Sequence, residues 1–453
     1  MINVPKYFCV IYFLLFSVLT LTTVLAQQNK KPKVIVTTDG EFDDRCSMIR
    51  FLLYANEFDV QGIIHSSSKF HWKGNDTTDS YQWHNVSWID RHFQAYAEVY
   101  PNLIQHDPEF PEVSYLRELV YEGNTELSGD MVNETPGSNR IVEVLLSPDP
   151  TPVWLQAWGG SNTIARALKT IEEKYPDRKQ DVMKKARLFL ILLQDSTYQS
   201  YIAPHWPELT TLLSTSFESI GYPWKKRVPD PFRRYYLGEW MNEHLLFNHG
   251  PLLAIYKDHL YGDDRTTGDF ISEGDSPAFM HTIPNGLRSD QDPTWGGWGG
   301  RFYLDDSLWR SAQDEQDIFK SIYRWIPDYQ RDFAARADWC IKSYKQANHP
   351  PKVLLNIDKD LKVHPGEIIQ LSAKDSTDPD GNPLQYHWWH YDDADTYSQP
   401  ITLTNPNQST TDLQIPKSAQ NSETIHIICQ VTDQGEPALT RYKRIVLQVV
   451  AGN

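Results

Sequence analysis

Cysteine is nearly missing, with four in 453 residues. Cys9 sits in an apolar opening run, which leaves Cys46, Cys340 and Cys429, few and far apart. That excludes a disulfide framework as the source of stability, and buried free thiols are the expectation. A single Cys340–Cys429 bridge stays open. Positive charge is scarce too: 43 Lys and Arg stand against 59 Asp and Glu, for a formal charge of −16. A phosphate backbone needs a basic surface, so a nucleic-acid polymer is excluded as the main partner. The balance suits cations and neutral substrates, and otherwise reports solubility. Past Leu25 no stretch reads as a membrane span. Tandem repeats and low-complexity tracts are lacking as well.

Aromatic residues are plentiful, with 15 Trp and 24 Tyr. In a secreted chain flat rings often cover the apolar face of a sugar; they equally fill cores and interfaces. The N-terminus indicates secretion. "YFCVIYFLLFSVLTLTTVL" (Tyr7–Leu25) is apolar and ends at Ala26, before the polar "QQNKKPK". A small-residue site followed by a polar spacer favours a cleaved signal peptide, residues 1–26, over a single membrane anchor. Secreted or periplasmic localisation follows, with no membrane span after cleavage. Sequons at Asn75, Asn85, Asn133 and Asn407 matter only in a eukaryotic host.

The length suggests two or three domains. From Val34 to about Tyr344, apolar strand-like runs alternate with helical patterns. "VIVTT" (Val34–Thr38), "VQGIIHSSS" (Val60–Ser68), "TPVWLQAWGG" (Thr151–Gly160) and "ARLFLILLQDS" (Ala186–Ser196) read as strands. "DRCSMIRFLLYANEF" sets Cys46, Ile49, Leu52 and Leu53 at helical spacing. "RIVEVLLSP" (Arg140–Pro148) reads as a helix end, and "SNTIARALKTIEEKY" (Ser161–Tyr175) as a helix capped by Ser161 or Asn162. This alternation predicts an α/β domain with a mostly parallel sheet over residues 27–347. Pro350 and Pro351 mark a linker. Beyond it, short alternating runs separated by turn clusters predict an immunoglobulin-like β-sandwich over residues 348–453.

One stretch stands out chemically. "TTDGEFDD" (Thr37–Asp44) puts Asp39, Glu41, Asp43 and Asp44 at the end of a buried strand. In an open α/β sheet, ligands bind outside the carboxyl ends of the strands. Asp43 and Asp44 also enter the first turn of a helix, where carboxylates are favoured. Capping accounts for one or two acids, but not for Asp39. Converging carboxylates repel unless a cation joins them, and hard oxygen ligands select Ca²⁺ or Mg²⁺.

"VIVTTDGEFDDRCSMIRFLLYANEFDVQGIIHSSS" resembles the opening of the nucleoside hydrolase superfamily. "EGDSPAFMHTIPNGL" (Glu273–Leu287) and "DPTWGGWGGRF" (Asp292–Phe302) are similar to late motifs of a secreted bacterial subgroup, some of it described as cellulose-binding, with an appended β domain. The resemblance implies a mostly parallel, Rossmann-like sheet flanked by helices, a bacterial source and Ca²⁺ as cofactor. It makes Asp39 a calcium ligand and the general base on water. Asp43 becomes a sugar-hydroxyl ligand, Asp44 and Asp275 become calcium ligands, and the Ser161 carbonyl completes the ion site. The sequence departs from that pattern in three places. Thr37 replaces a first aspartate, the usual Glu-Phe-Asn sugar segment is not evident, and Gly274 stands where a leaving-group His is common.

Further substrate-binding candidates are Asn162, Asp195, Asn248, Glu273, Trp295 and Trp298. Asp195, with Gln194, ends a strand on the correct side, or simply turns. Glu273 neighbours Asp275. Asn248 and His249 line the pocket or are structural. Trp295 and Trp298 form a sugar platform on a glycine loop, or pack onto the domain. "DSTDPDGNP" (Asp375–Pro383) reads as a turn rather than a calcium loop. The expected activity is calcium-dependent hydrolysis of a glycosidic bond, in an O-glycoside, a glycan end or an N-riboside. The alternative is a carbohydrate-binding protein on the same scaffold. A homo-oligomer stays open.

Overall fold

Strands β1 (Lys33–Thr38), β2 (Asp59–His65), β3 (Val120–Glu122), β4 (Val153–Ala157), β5 (Ala186–Ile191), β6 (Thr211–Ser214), β7 (Phe302–Asp305) and β8 (Leu308–Ser311) form one sheet. The computed structural model describes residues 31–258, 267–357 and 360–450, so the proposed leader lies outside the described residues. The strand order is β3-β2-β1-β4-β5-β6-β8-β7. All pairings are parallel except β7 with β8.

The sequence of β1 explains its place. KVIVTT is β-branched and buried from Val34 onward. Val34 and Val36 face one apolar layer, and Ile35 faces the other. Strand β5 repeats the alternation, with Phe189 on the first layer and Leu188 and Leu190 on the second. A sheet covered on both faces needs such continuous apolar strands. Helices α1 (Phe42–Leu53), α2 (Ser87–His106) and α5 (Ile326–Trp339) contribute to the first layer. Helices α3 (Pro136–Leu146) and α4 (Asn162–Lys174) contribute to the second. Among the described residues, no helix is long and apolar enough to cross a membrane.

Strand order decides where a ligand fits. From β1 the chain builds outward through β2 and β3, then returns to β4 and builds the other way. The reversal between β1 and β4 opens a crevice at their carboxyl ends. The acidic turn leaves β1 at that point, and "WGGSN" leaves β4. Strand β5 is shorter than "ARLFLILLQDS" suggests: it ends at Ile191, because Leu192 adopts a left-handed φ of 62°.

The C-terminal strands make two sheets. One holds β10 (Ile368–Ser372), β13 (Thr410–Gln414) and β12 (Leu403–Thr404). The other holds β11 (Leu384–His390), β14 (Thr424–Asp433), β15 (Thr440–Val449) and β9 (Leu361–Val363). Leu371 and Leu413 from the first meet Trp388, Ile427 and Ile445 from the second in a shared core. This is the expected sandwich. Cys46, Cys340 and Cys429 are buried and free, so the open Cys340–Cys429 bridge is not formed.

The sandwich is fastened to the α/β layer rather than hung from a linker. The N–H groups of Tyr442 and Arg444 donate to the carbonyls of Asn285 (3.0 Å) and Gly286 (3.1 Å). A Cβ on Gly286 would lie 1.8 Å from the Tyr442 carbonyl, so this contact requires glycine. Arg441 pairs with Asp332 at 2.6 Å, and the Tyr391 hydroxyl donates to Asp314 at 2.6 Å.

Candidate functional site

The acidic turn is closed by glycines. Gly40 has a φ of +78°, and a Cβ there would lie 2.7 Å from the Trp88 indole nitrogen. A Cβ on Gly159, just past β4, would lie 2.9 Å from the Asp39 carboxyl carbon. A Cβ on Gly274 would lie 2.7 Å from an Asp43 oxygen, which brings the backbone before Asp275 against the turn. Two separate segments thus press backbone onto the turn's carboxylates, one onto Asp39 and one onto Asp43.

Local hydrogen bonds use only part of those carboxylates. The Thr38 hydroxyl donates to Asp44 and accepts from the Gly40 N–H at 3.3 Å. One Asp39 oxygen accepts the Glu41 N–H at 3.3 Å. Asp43 accepts from the Ser272 hydroxyl at 3.3 Å and the Tyr222 hydroxyl at 3.5 Å. Oδ2 of Asp39 and Oδ2 of Asp275 are buried with no hydrogen-bond partner. Buried polar atoms are normally paired, so two orphaned carboxylate oxygens need an explanation.

The electrostatics point the same way. Ligand oxygens of Asp43, Asp44 and Asp275 lie within 4.8 Å of one another, and atoms of Asp39, Glu41 and His71 form a second such group. Burial, then repulsion from Glu41 and Asp39, pushes the Asp43 carboxyl up to about 8. Burial, reinforced by the neighbouring aspartates, pushes Asp44 and Asp275 well above the usual carboxylate range. Asp39 goes the other way: burial raises it, but His71 prevails and holds it below its ordinary value. Among the described residues, no Lys or Arg forms an ion pair with any of the four aspartates. A hard divalent cation fits this donor set, since it neutralises the crowded charge and occupies the orphaned oxygens.

The acids lie at a cavity of about 270 Å³. Glu41, Asp43, Asp44 and Asp275 line it, with His71, Trp158 and Gln194 beside them. Its lining also includes Phe70, Tyr81 and Tyr222, which are 40%, 45% and 38% exposed. Aromatic rings left that open to solvent form a ready surface for the apolar face of a sugar.

The structure groups Asp43, Asp44 and Asp275, while Asp39 groups with Glu41 and His71 beside them, and its charge bears on the other three. It gives the other candidates different tasks, and none of them is among the residues lining this cavity. The Ser161 carbonyl accepts the Ala165 N–H at 2.8 Å, and its hydroxyl bonds Asp195 and Thr197. Asp195 accepts the Asn162 N–H at 3.0 Å and so caps α4, a role Ser161 does not fill. Asn162 ties down the loops at Ser67, Asn124 and Asp130. Glu273 is wholly buried in an ion pair with Arg50, and also accepts from Tyr256 at 3.1 Å and Ser276 at 2.9 Å. Asn248 lies on an exposed turn with a left-handed φ of 63°. His249 pairs with Asp338 at 3.3 Å.

The tryptophan platform is corrected as well. Trp298 is buried in the core against Tyr329. Trp295 stacks with Arg288 and meets His426 of the sandwich. The residues that do border the acids, His71, Tyr222, Phe70 and Tyr81, lie on irregular segments whose sequence shows no pattern.

Comparison with known proteins gives a consistent result. The model of a family described as cellulose-binding Sde182, nucleoside hydrolase-like domain, matches residues 33–302. A second model, the C-terminal domain of the cellulose-binding protein Sde0182, matches residues 368–449. A solved nucleoside hydrolase-related protein from Saccharophagus degradans, described as associated with carbohydrate metabolism, is 30% identical to this chain. The match covers 93% of this chain and 100% of that one, with a TM-score of 0.77. A plant nucleoside hydrolase is 13% identical over 62% of this chain and 86% of its own, with a TM-score of 0.32. At that distance the likeness says nothing about chemistry. A search of curated proteins finds no match.

Proposed function

The chain belongs to the Sde182 family of cellulose-binding, nucleoside hydrolase-like proteins, and from that premise we propose a secreted, Ca²⁺-dependent hydrolase of glycosidic bonds. Its substrate is a glycan end or O-glycoside. The observation that carries the reading is the pair of orphaned oxygens on Asp39 and Asp275, buried among acids that line an aromatic-edged cavity.

Asp39, Asp44 and Asp275 would hold the ion. When bound, calcium supplies a positive charge that eases loss of a proton from water and grips neighbouring sugar hydroxyls. Asp39 stays ionised, because His71 holds it low, and accepts the water proton. Asp43 accepts a hydrogen bond from a sugar hydroxyl, with Tyr222 beside it. Phe70 and Tyr81 hold the ring by its apolar face. Water attacks the anomeric carbon as its bond to the leaving oxygen breaks, the configuration inverts, and the leaving oxygen takes its proton from solvent. The volume suits a single terminal sugar unit, being just below the usual range for drug-sized ligands. Gly274 offers no side chain to protonate a leaving group, nucleobase and sugar oxygen alike.

A second reading is carbohydrate binding without turnover. The missing proton donor at Gly274 favours it, and so does the family's description as cellulose-binding. A panel of glycans and nucleosides separates the two. The hydrolase reading expects calcium-dependent release of sugar that chelator abolishes. No release from any member, with binding retained, leaves the second reading.

A further inference from the structure

Next to the aspartate cluster is a second group of ligands with a different chemistry. Asp39, Glu41 and His71 each present one ligand atom, and the three atoms lie within 4.8 Å of one another. His71 is 3% exposed and its Nδ1 has no hydrogen-bond partner. Asp39 Oδ2, 3.7 Å from that nitrogen, has none either. Glu41 Oε2 lies 3.8 Å from the same nitrogen. Hydrogen bonds between such atoms close to about 2.7–3.2 Å, so these contacts are too long for one. Ligands on a tetrahedral ion with bonds of about 2.1 Å stand roughly 3.4 Å apart, close to the spacing seen.

The loop holds the imidazole in place. The Ser68 hydroxyl accepts the His71 N–H at 3.2 Å, and the His71 carbonyl accepts the Ser68 N–H at 2.9 Å. The His84 ring stands 5.6 Å from the His71 ring. The loop backbone is thus fixed, and the imidazole it carries has Nδ1 directed toward Asp39 and Glu41.

We infer that Asp39, Glu41 and His71 form a second cation site, selective for a borderline ion such as Zn²⁺, for which Mn²⁺ serves as a paramagnetic probe. Imidazole favours such ions, whereas the neighbouring all-oxygen cluster favours Ca²⁺. Asp39 belongs to this group and is also a ligand in the proposed calcium set, so one carboxylate bridges the two ions. The inference builds on the reading of Asp39 above but does not require turnover. Arrangements of two cations serve to clamp the attacking and leaving oxygens of a displacement.

The test uses the purified chain saturated with Ca²⁺ and titrated with Mn²⁺. One further equivalent is expected, with nitrogen coupling from one imidazole in pulsed electron paramagnetic resonance. His71→Gln removes that coupling and weakens Mn²⁺ binding by more than about tenfold, while Ca²⁺ still raises the melting temperature. Glu41→Gln weakens Mn²⁺ but keeps the nitrogen signal, which covers the case of a poorly folding His71 variant. Asp275→Asn abolishes the calcium effect and leaves the nitrogen-coupled site. A wild-type chain that takes no second equivalent, or shows no nitrogen coupling, overturns the inference. Retention of the coupling in His71→Gln does the same. Neither result bears on whether the calcium site hydrolyses a sugar.

Discussion

Two motifs stand out in this sequence, and the fold puts them to opposite uses. The Asp39–Asp44 turn buries charge beside a cavity, with an unpaired oxygen on Asp39 and another on Asp275, which lines it. The Trp295–Gly300 run joins the α/β layer to the sandwich: Trp295 reaches His426, and the carbonyl of Gly296 accepts from the Arg444 guanidinium at 2.9 Å. Both motifs contain glycines, and in both the glycines permit close approach. A Cβ on Gly299 would lie 2.4 Å from the Pro277 carbonyl, so that glycine serves packing rather than mobility. Composition alone does not separate a site from a seam. Unpaired buried atoms facing a cavity do.

The comparison predicts effects that split cleanly. Asp39→Asn should cost about 10²–10⁴-fold in sugar release, measured under saturating calcium, with the cooperative melting transition retained. Equal losses of activity and fold would break the distinction between the motifs. Trp298→Ala should do the reverse. It empties a wholly buried indole site and should cost about 3–5 kcal/mol in urea unfolding, while surviving folded protein keeps its sugar affinity. A loss of affinity without a loss of stability would return Trp298 to the sugar site. Asp275→Asn should raise the stability of the calcium-free chain at pH 8, read in urea unfolding, because it removes a carboxyl that burial and neighbouring acids disfavour as an anion. The smallest change is at the cavity mouth. Tyr81→Ala should weaken sugar binding about tenfold by calorimetry and leave stability unaltered, because the ring is 45% exposed.

The site was partly legible before folding. Asp39, Asp43 and Asp44 announce themselves because they crowd one short turn at the end of a strand whose apolar run is unmistakable. Asp275 is separated from them by most of the α/β domain, and only the resemblance ties it to the turn. His71, Tyr222, Phe70 and Tyr81 carry no sequence signal, since loop residues meet through topology rather than spacing. Glu273 shows the opposite error. Its nearness to Asp275 in sequence suggested the pocket, but its side chain turns into the core to neutralise Arg50. The parallel sheet was readable where strands are buried on both faces. Strand β7 was not, because three of its four residues are exposed.

The central claim is that the aspartates are left unpaired for a cation. In the calcium-free chain, folding raises the Asp43 carboxyl to about 8 and raises Asp44 and Asp275 as well. Raised carboxyls stabilise the fold fully below the ordinary carboxylate pKa of about 4, and that contribution fades as pH climbs through about 8. Calcium needs the ionised forms, so its effect should grow over the same window. The decisive measurement is thermal unfolding from pH 5 to 9, with calcium and with chelator. The account predicts that chelated protein loses stability toward pH 9, and that calcium at a hundred times its dissociation constant restores about 2.7 kcal/mol. Superimposable curves with calcium and with chelator at every pH would contradict it.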